Sequence, residues 1–265
     1  MTPTGGVDPA HRQTPFAVRL EHGPTGARAL VEAGDVEVAV VVDVLSFTTT
    51  TTIAVARGVE VLPLAWRDDR AAAHARAHDA VLALGRLERQ ALPEAERAGA
   101  ASLSPAAMLA YDGARRIVLP SPNGATIAAL LADGGAQVVA ASLRNAAAVG
   151  RHLATAVGSG ARVALVAAGE RWPDGTLRPA IEDLAGCGAV LAALLAAAPG
   201  TSVSPEARLA LTALADLTPE ALLTCASGAE LVAKGFADDV RAASQRDVDD
   251  VVPVLTAPGP AFRPH

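Results

Sequence analysis

Residues 36–44, VEVAVVVDV, are almost continuously apolar and carry an acidic residue, Asp43, near their end. A strand with this composition is typical of the centre of a parallel sheet, because helices then cover both of its faces. A second stretch of the same kind, RVALVA, lies at Arg162–Ala167. The two stretches therefore predict two central strands of an α/β sheet.

Shorter apolar runs flank these two, and segments with helical spacing separate them. This alternation predicts a layered α/β/α fold with a mostly parallel sheet and a more helical C-terminal third. The predicted strands cover Phe16–Glu21, Val36–Val44, Val59–Ala65, Ala80–Leu84, Arg116–Leu119, Gln137–Ala141, Arg162–Ala167 and Val251–Leu255. The predicted helices cover Thr49–Arg57, Asp68–Ala77, Pro105–Tyr111, Thr126–Ala132, Ala146–Val157, Glu182–Ala197, Glu206–Ala215, Pro219–Cys225, Ala229–Lys234 and Asp238–Ser244.

The chain predicts one domain, because no internal repeat or long linker divides it. We assign residues 16–255 to this α/β domain. Residues 1–15 are expected to form a flexible N-terminus, and residues 256–265 a loose Pro-rich tail.

The composition argues against a membrane protein, although 51% of the 265 residues are hydrophobic. Apolar runs such as Val36–Val42 and Ala185–Ala198 are too short for a span, which needs about 18 residues. The N-terminus also has no basic start followed by an apolar stretch, so no secretory signal is predicted. The apolar surplus instead favours buried strands, packed helices and a homodimer.

Charge and cysteine content narrow the partners and the compartment. The net charge is −6 and Lys and Arg form no run, which argues against nucleic acid or an anionic membrane as the main partner. Two cysteines, Cys187 and Cys225, cannot make a disulfide framework or a four-ligand zinc site. A cytoplasmic protein is therefore predicted.

Polar residues follow four of the predicted strands, where ligands bind in open α/β sheets. These residues are Asp43 with Ser46, Asn123 with Gly124, Arg144 with Asn145, and Glu170. We expect them to converge at one edge of the sheet, and this convergence is the strongest chemical signal in the sequence.

Asp43 precedes Ser46 and a run of five threonines that includes Thr48 and Thr49. A buried carboxylate needs hydrogen bonds or a cation, because burying it unpaired costs several kcal/mol. The helix N-terminus that follows offers hydroxyls and backbone N–H groups to an anion. Alternatively, Asp43 and Ser46 only cap this helix.

Asn123 and Gly124 join a strand to a helix, and glycine lets the backbone approach a phosphate closely. The bland alternative is a simple Asn-Gly turn. Glu182 and Asp183 open an alanine-rich helix, where the helix dipole favours acidic residues in any case. Together with Asp43 and Glu170 they predict an oxygen-rich Mg²⁺ site.

Five segments, read in order, resemble the blocks of the 2-phosphosulfolactate phosphatase family. They are DVLSFTTTTTIAVARG (43–58), PNGATIAALL (122–131), SLRNAAAV (142–149), AAGERWPDGTLRPAIEDLAGCGAVLAAL (167–194) and SGAELVAKGFADDV (227–240). The resemblance implies Mg²⁺-dependent hydrolysis of 2-phospho-3-sulfolactate to 3-sulfolactate and phosphate, and a phosphatase-like domain over 16–255. It also implies family motif positions at Asp43, Asn123, Gly124, Asn145, Gly169, Glu182, Asp183, Gly188, Gly235 and Asp239.

The chain departs from the family at two informative places. Ser46-Phe47 stands where the family commonly has Arg-Ala, and Ser227-Gly228 stands where it has His-Gly. Arginine is the side chain best suited to bind a phosphate or sulfonate with two parallel hydrogen bonds. Arg144 and Arg86, which both follow predicted strands, are the candidates to replace the missing charge.

The leading hypothesis is a Mg²⁺-dependent phosphatase acting on a small anionic phosphorylated acid. Two alternatives stay open, namely a non-catalytic relative that binds an anion or metabolite, and a hydrolase of carboxylic esters or amides that lacks a G-x-S-x-G elbow. Asp43 and Glu170 are the predicted catalytic residues, with Glu170 as base, and the predicted metal ligands are Asp43, Glu182 and Asp183. The predicted substrate-binding residues are Ser46, Thr48, Thr49, Asn123, Gly124, Arg144 and Asn145.

Overall fold

A computed structural model of the protein describes residues 8–32, 34–66, 68–256 and 260–265. The described strands are β1 (Val18–His22), β2 (Val38–Val42), β3 (Glu60–Leu64), β4 (Val81–Leu82), β5 (Arg116–Pro120), β6 (Gln137–Ala141), β7 (Val163–Ala167), β8 (Glu170–Arg171), β9 (Leu177–Arg178), β10 (Pro253–Thr256) and β11 (Ala261–Pro264). The described helices are α1 (Gly23–Val31), α2 (Phe47–Ala56), α3 (Arg70–Ala77), α4 (Arg86–Gln90), α5 (Glu94–Arg97), α6 (Pro105–Leu109), α7 (Gly124–Asp133), α8 (Ala146–Gly158), α9 (Ile181–Ala197), α10 (Pro205–Asp216), α11 (Pro219–Thr224), α12 (Ala226–Ala233) and α13 (Ala237–Ser244).

Nine of these strands form one sheet in the order β1-β7-β2-β6-β10-β11-β3-β5-β4, which confirms the predicted mostly parallel α/β architecture. Strands β1, β7, β2 and β6 pair in parallel, and so do β3, β5 and β4. The antiparallel pair β10–β11 joins these two parallel blocks. Strands β8 and β9 form a separate hairpin. The helical C-terminal third is confirmed as well, since α9 to α13 follow one another there.

The sheet curves around helix α7, which contacts both β2 and β3. Strands β6, β10 and β11 lie between these two, so in a flat sheet they would be about 19 Å apart at about 4.8 Å per strand. A helix is only about 10 Å wide and could not touch both strands of a flat sheet. The curvature therefore brings the chain segments that follow β2 and β5 close together.

The core has two faces because successive side chains of a strand point to opposite sides. In β2, Val38, Val40 and Val42 pack with residues of α8, α9 and α10, whereas Ala39 and Val41 pack with residues of α1, α2 and α7. Helices α9 and α10 approach closely at Gly188, where a Cβ atom would lie 2.1 Å from the Ala210 carbonyl oxygen. Among the described residues, no helix has both the length and the apolar character that crossing a membrane requires.

The C-terminal residues 261–264 are not the loose tail that the sequence predicts. They form β11, which lies between β10 and β3, and Phe262 is completely buried. The Phe262 ring packs edge-on against Phe47, with 6.2 Å between the ring centroids. Burial of this aromatic side chain and the backbone pairing with β10 offset the poor strand propensity of the flanking prolines.

Residues 8–15 pack against the domain, in contrast to the flexible segment predicted for residues 1–15. A 3₁₀ turn spans Pro9–Arg12. Nε2 of the buried Gln13 donates to the carbonyl oxygen of Leu20 in β1, and Oε1 of Gln13 accepts the Leu20 N–H. The prediction for residues 1–7 lies outside the described residues.

Arg19 of β1 is completely buried and forms a two-pronged ion pair with Asp35, at 2.9 and 2.7 Å. Asp35→Asn leaves the buried guanidinium without a counter-charge, so we expect the free energy of unfolding at pH 7 to fall by about 3 kcal/mol. The hydrogen bond from Arg19 lowers the pKa of Asp35 below its usual 3.8. The contribution of the ion pair to the free energy of unfolding is therefore fully present above pH 3.8 and is lost as the pH falls through the lowered pKa.

Urea unfolding at pH 7 and at pH 3 measures both effects, and the difference between wild type and Asp35→Asn should shrink at the lower pH. Asp68→Asn is the matched control, because its ion pair with Arg70 is exposed and its loss is expected to leave the free energy of unfolding almost unchanged. An Asp35→Asn protein as stable as the wild type at pH 7 would contradict the assignment.

Candidate active site

Asp43 lies just beyond β2, and its carboxylate joins two helix N-termini. Oδ1 accepts a hydrogen bond from the backbone N–H of Phe47 at 3.1 Å, and Oδ2 accepts one from Gly124 at 3.0 Å. The side chain is 6% exposed and still lines a cavity. Asp43 thus caps α2 and links it to the start of α7. The capping role that the sequence offered as an alternative is therefore present, and the same carboxylate also lines the cavity.

Gly124 has to be glycine at this place. A Cβ atom on it would lie 2.7 Å from Oδ2 of Asp43 and 2.5 Å from Cδ1 of Phe47. The Asn-Gly pair after β5 therefore serves close backbone approach to the Asp43 carboxylate and is not merely a turn.

The cavity beside Asp43 has a volume of about 580 Å³. Its polar wall comes from the segments after β2, β5 and β7 and from the start of α4, while the C-terminal helical region closes it. The lining residues are Asp43, Leu45, Ser46, Gly85, Arg86, Leu87, Glu88, Leu103, Ser121, Pro122, Asn123, Glu170, Ser227, Glu230, Leu231, Lys234 and Phe236.

Arg86 reaches into this cavity from the first residue of α4. Its Nη2 donates to Oγ of Ser46 at 2.5 Å, and its Nε donates to Oδ2 of the buried Asp239 at 2.6 Å. Asp239 also accepts hydrogen bonds from the Ser104 hydroxyl and the Ala106 N–H, which fix its orientation. The guanidinium therefore lies beside Ser46, where the family resembled by the sequence commonly has arginine.

Glu170 and Asn123 both line the cavity and are hydrogen-bonded to each other. Nδ2 of Asn123 donates to Oε2 of Glu170 at 2.9 Å, and Nε of Arg171 donates to Oδ1 of Asn123 at 3.2 Å. Burial, and next the negative charge of Asp43, raise the pKa of Glu170 to about 7, against the opposing charge of Arg178. A carboxyl group with this pKa can take up and release a proton near neutral pH.

Burial also raises the pKa of Asp43 to about 6, although its two backbone hydrogen bonds and Arg86 act in the opposite direction. The nearby charge of Glu182 contributes to the rise. The site therefore gathers more negative charge than its arginines neutralise.

Glu182 and Asp183 are both buried at the start of α9, but neither lines the cavity. Asp183 accepts the Val44 N–H through Oδ1 at 2.7 Å and the Gly169 N–H through Oδ2 at 2.8 Å, so it ties the ends of β2 and β7 to α9. Within the described ranges, no group of three or more His, Cys, Asp or Glu side chains is arranged to hold a metal ion. The predicted ligand set of Asp43, Glu182 and Asp183 is not brought together at the cavity, because only Asp43 lines it.

The threonines are not presented to the cavity either. Thr48 and Thr49 are completely buried, and their hydroxyls donate to the carbonyl oxygens of Asp43 and Val44 at 2.8 and 2.7 Å. Short hydroxyl side chains readily bond nearby backbone in this way. They stabilise the backbone of the segment before α2, and neither side chain lines the cavity in which the predicted phosphate contact would be made.

Arg144 and Asn145 lie outside the cavity. Nε of Arg144 donates to Oδ2 of Asp249 at 2.6 Å, and Nδ2 of Asn145 donates to the Val251 carbonyl at 3.1 Å. Both side chains fasten the segment before β10 to the sheet. These partners lie 105 and 106 positions further along the chain and hold both side chains away from the cavity, so the structure does not bring them to the predicted ligand.

Replacing Glu170 tests the electrostatics of the site. Because its pKa is raised from 4.5 to about 7, the folded protein binds a proton that the unfolded chain releases, and stability falls as the pH rises through that window. We expect Glu170→Gln to be more stable than the wild type by about 1–2 kcal/mol at pH 8, and the gain to vanish near pH 4.

Thermal or urea unfolding from pH 4 to pH 8 measures this difference. Glu206→Gln, an exposed position on α10, is the control and should show no such trend. Lower stability of Glu170→Gln than of the wild type at pH 8 would contradict the raised pKa of Glu170, because the ionised carboxylate would then stabilise the folded protein.

The fold and the cavity define a mixed α/β protein with a partly polar cavity at the ends of its strands. Residues 27–258 match the sequence family described as 2-phosphosulpholactate phosphatase. The chain belongs to this family, as the sequence predicted. It is similar to a protein of Deinococcus radiodurans named probable 2-phosphosulfolactate phosphatase, with 33% identity over 228 residues, which cover 83% of this chain and 88% of the relative.

Proposed function

We propose that this protein is a Mg²⁺-dependent phosphatase that hydrolyses a small phosphorylated hydroxy acid, with 2-phospho-3-sulfolactate as the first substrate to test. The family supports a phosphatase acting on a small phosphorylated substrate. The observation that carries the proposal is one cavity in which Arg86 faces Ser46 beside Asp43, with Glu170 held by Asn123.

Arg86 binds the phosphoryl group in this proposal. A guanidinium has five N–H donors in a rigid fork, and Asp239 and Ser46 accept two of them. The charge that the family commonly places at position 46 is then supplied from α4. The salt bridge to Asp239 fixes the fork, so little side-chain entropy is lost when the phosphate binds.

Glu170 acts as the general base. With a pKa of about 7 it is partly ionised at neutral pH, and it accepts the proton of a water molecule as the water oxygen attacks phosphorus. The hydrogen bond from Asn123 orients the carboxylate. The phosphorus–oxygen bond to the hydroxy acid breaks, the leaving alkoxide takes a proton from solvent water, and Glu170 then releases its proton to solvent, so that the products are the hydroxy acid and inorganic phosphate.

The carboxylates fit a Mg²⁺ ion by charge and chemistry. Asp43 and Glu170 repel each other in a largely buried site, and Glu182 adds to the negative charge, which a divalent cation would offset. Mg²⁺ usually takes one or two carboxylates and completes its shell with substrate oxygens and water. We therefore assign the ion to Asp43, which lines the cavity and whose oxygens keep lone pairs beside their backbone hydrogen bonds, while the buried Glu182 adds negative charge nearby. When bound, the ion would polarise the phosphoryl group and favour ionisation of a coordinated water.

Phosphate release from a panel of phosphorylated hydroxy acids tests the proposal. We expect release with Mg²⁺, loss of release with EDTA and recovery when Mg²⁺ is restored in excess. Binding of these acids without release from any of them, judged by thermal stabilisation, would favour the non-catalytic relative. Ser227 in place of the family's His motivates that alternative.

We also propose that the protein is cytoplasmic, that it forms a homodimer and that it does not bind nucleic acid. Two free thiols, Cys187 and Cys225, suit a reducing cytoplasm. A homodimer would be seen by light scattering, and weak retention on a nucleic-acid column would agree with the net charge of −6.

A further inference from the structure

Ser227 lies in the first turn of α12 and lines the active-site cavity, although only 5% of the residue is exposed. Its Oγ accepts a hydrogen bond from Nη2 of Arg178 at 3.1 Å. Within the described part of the chain the Ser227 hydroxyl donates no hydrogen bond, so its proton is free to point at a ligand in the cavity. Ser227 therefore offers the cavity an O–H donor with a positive charge next to it.

The hairpin formed by β8 and β9 places Arg178 on the side of the cavity. Glu170 and Arg178 are directly opposite each other in the register of this hairpin, and opposite residues of an antiparallel pair share a face. Because Glu170 lines the cavity, Arg178 projects toward the same side. Arg171 belongs to the other face of the hairpin and donates to Pro122 and Asn123. Of the two hairpin arginines, Arg178 is therefore the one that shares a face with the cavity carboxylate.

Arg178 differs from the two cations that line the cavity, because it lacks a carboxylate partner. Arg86 pairs with Asp239 at 2.6 Å, and Lys234 pairs with Glu230 at 2.5 Å. Among the described residues, Arg178 forms no ion pair, and its guanidinium donates a single hydrogen bond. The positive charge of Arg178 is therefore available to an anionic ligand.

The charge of Arg178 also acts on residues of the cavity. It opposes the rise that burial causes in the pKa of Glu170, and it adds to the lowering that Lys234 causes in the pKa of Glu230. The guanidinium carbon lies 5.8 Å from the centroid of the Trp172 ring, within the range of a cation–π contact. This contact limits the motion of the guanidinium beside the cavity wall.

From these contacts we infer that Ser227, with Arg178 next to it, binds a second anionic group of the substrate, a carboxylate or a sulfonate, while Arg86 binds the phosphate. Ser227 donates its hydroxyl proton to the anion, and Arg178 acts through Ser227 as a positioning residue. The bond from the guanidinium polarises the hydroxyl and strengthens its hydrogen bond to an anionic oxygen. This subsite rests on the proposed phosphatase function and determines which phosphorylated acids the enzyme selects.

Calorimetric titration with three non-hydrolysable phosphonates at pH 7.5 with Mg²⁺ tests the subsite. The parent compound is 2-(phosphonomethyl)-3-sulfopropanoate. Of the truncated compounds, 2-methyl-3-phosphonopropanoate lacks the sulfonate and 3-phosphonopropane-1-sulfonate lacks the carboxylate.

We expect Ser227→Ala to bind the parent compound about 10-fold or more weakly, because a hydrogen bond to a charged group is lost. At least one truncated compound should bind Ser227→Ala as it binds the wild type, and the group which that compound lacks is the group that Ser227 binds. Equal weakening for all three compounds, unchanged affinity for the parent, or no binding of the parent to the wild type at millimolar concentration would overturn the subsite.

Replacing Arg178 tests the charge next to Ser227. Arg178→Gln should weaken the parent about 10-fold and spare the same truncated compound, and Arg178→Lys, which keeps the charge, should recover part of the loss. Arg208→Gln, at an exposed position on α10 outside the cavity, is the matched control and should leave all three affinities unchanged. Wild-type affinity of Arg178→Gln for the parent would remove Arg178 from the subsite.

Phosphate release from 2-phospho-3-sulfolactate separates the subsite from the proposed function. Selective weakening of the phosphonates in Ser227→Ala, without phosphate release by the wild type, would reject the phosphatase and keep the subsite. Phosphate release by the wild type, with unchanged affinity of Ser227→Ala for the parent phosphonate, would keep the phosphatase and reject the subsite.

Discussion

Asp43→Asn is expected to lower kcat/KM for phosphate release by about 1000-fold or more. The substitution removes the negative charge that is proposed to hold Mg²⁺ at the cavity wall. It also turns one amide N–H toward the Phe47 or Gly124 N–H groups that now donate to the carboxylate. Removal of a buried charge acts in the opposite direction on stability, so we expect the variant to remain folded.

Initial rates with saturating Mg²⁺, together with circular dichroism to verify folding, measure this effect. Asp133→Asn is the matched control, because Asp133 is exposed at the far end of the helix α7 that Asp43 caps. A folded Asp43→Asn protein with the rate of the wild type would remove Asp43 from the active site.

Arg86→Lys should produce the second largest effect. Lysine keeps the positive charge but cannot bond Asp239, Ser46 and a phosphoryl group with one rigid fork. We expect kcat/KM to fall about 10- to 100-fold, which corresponds to the loss of about 1.5–3 kcal/mol from one charge-assisted hydrogen bond in the transition state.

Arg89→Lys provides a control on the same helix. The Arg89 guanidinium donates to the carbonyl oxygens of Arg97 and Ala100 and does not line the active-site cavity, so its replacement should leave kcat/KM unchanged. Equal rates in Arg86→Lys and wild type would show that the phosphate binds elsewhere.

The central strands could be predicted from the sequence, because short continuous apolar runs bounded by turn residues, such as those of β2 and β7, are typical of strands buried on both faces. Strand β10 was predicted as well, at Val251–Leu255, but β11 and its antiparallel pairing with β10 could not be predicted. The pair contacts its outer neighbours through one residue pair on each side, Val254 with Val139 and Phe262 with Val61, and so short a pairing leaves no pattern in the sequence. Helix α1 was not predicted either, because its sequence GPTGARALV begins with residues typical of turns.

Residues of the site could be predicted where polar side chains directly follow a strongly apolar strand. Asp43, Asn123 with Gly124, and Glu170 follow apolar runs, and the structure brings them together. The role of Asp239 as the partner of Arg86 was not predictable, because these residues lie 153 positions apart and pair only through the tertiary fold. Arg144 follows a strand equally well, yet Asp249 holds it outside the cavity.

The most direct test of the central claim is a crystal structure of the protein grown with Mg²⁺ and inorganic phosphate. Another cavity, lined by Arg76, Arg115 and Arg116 at the start of β5, also offers arginines to an anion and serves as an internal comparison. The proposed active site predicts phosphate density on the Arg86 guanidinium and metal density beside the Asp43 carboxylate. Phosphate bound only at Arg115 and Arg116, with no density beside Asp43, would contradict it.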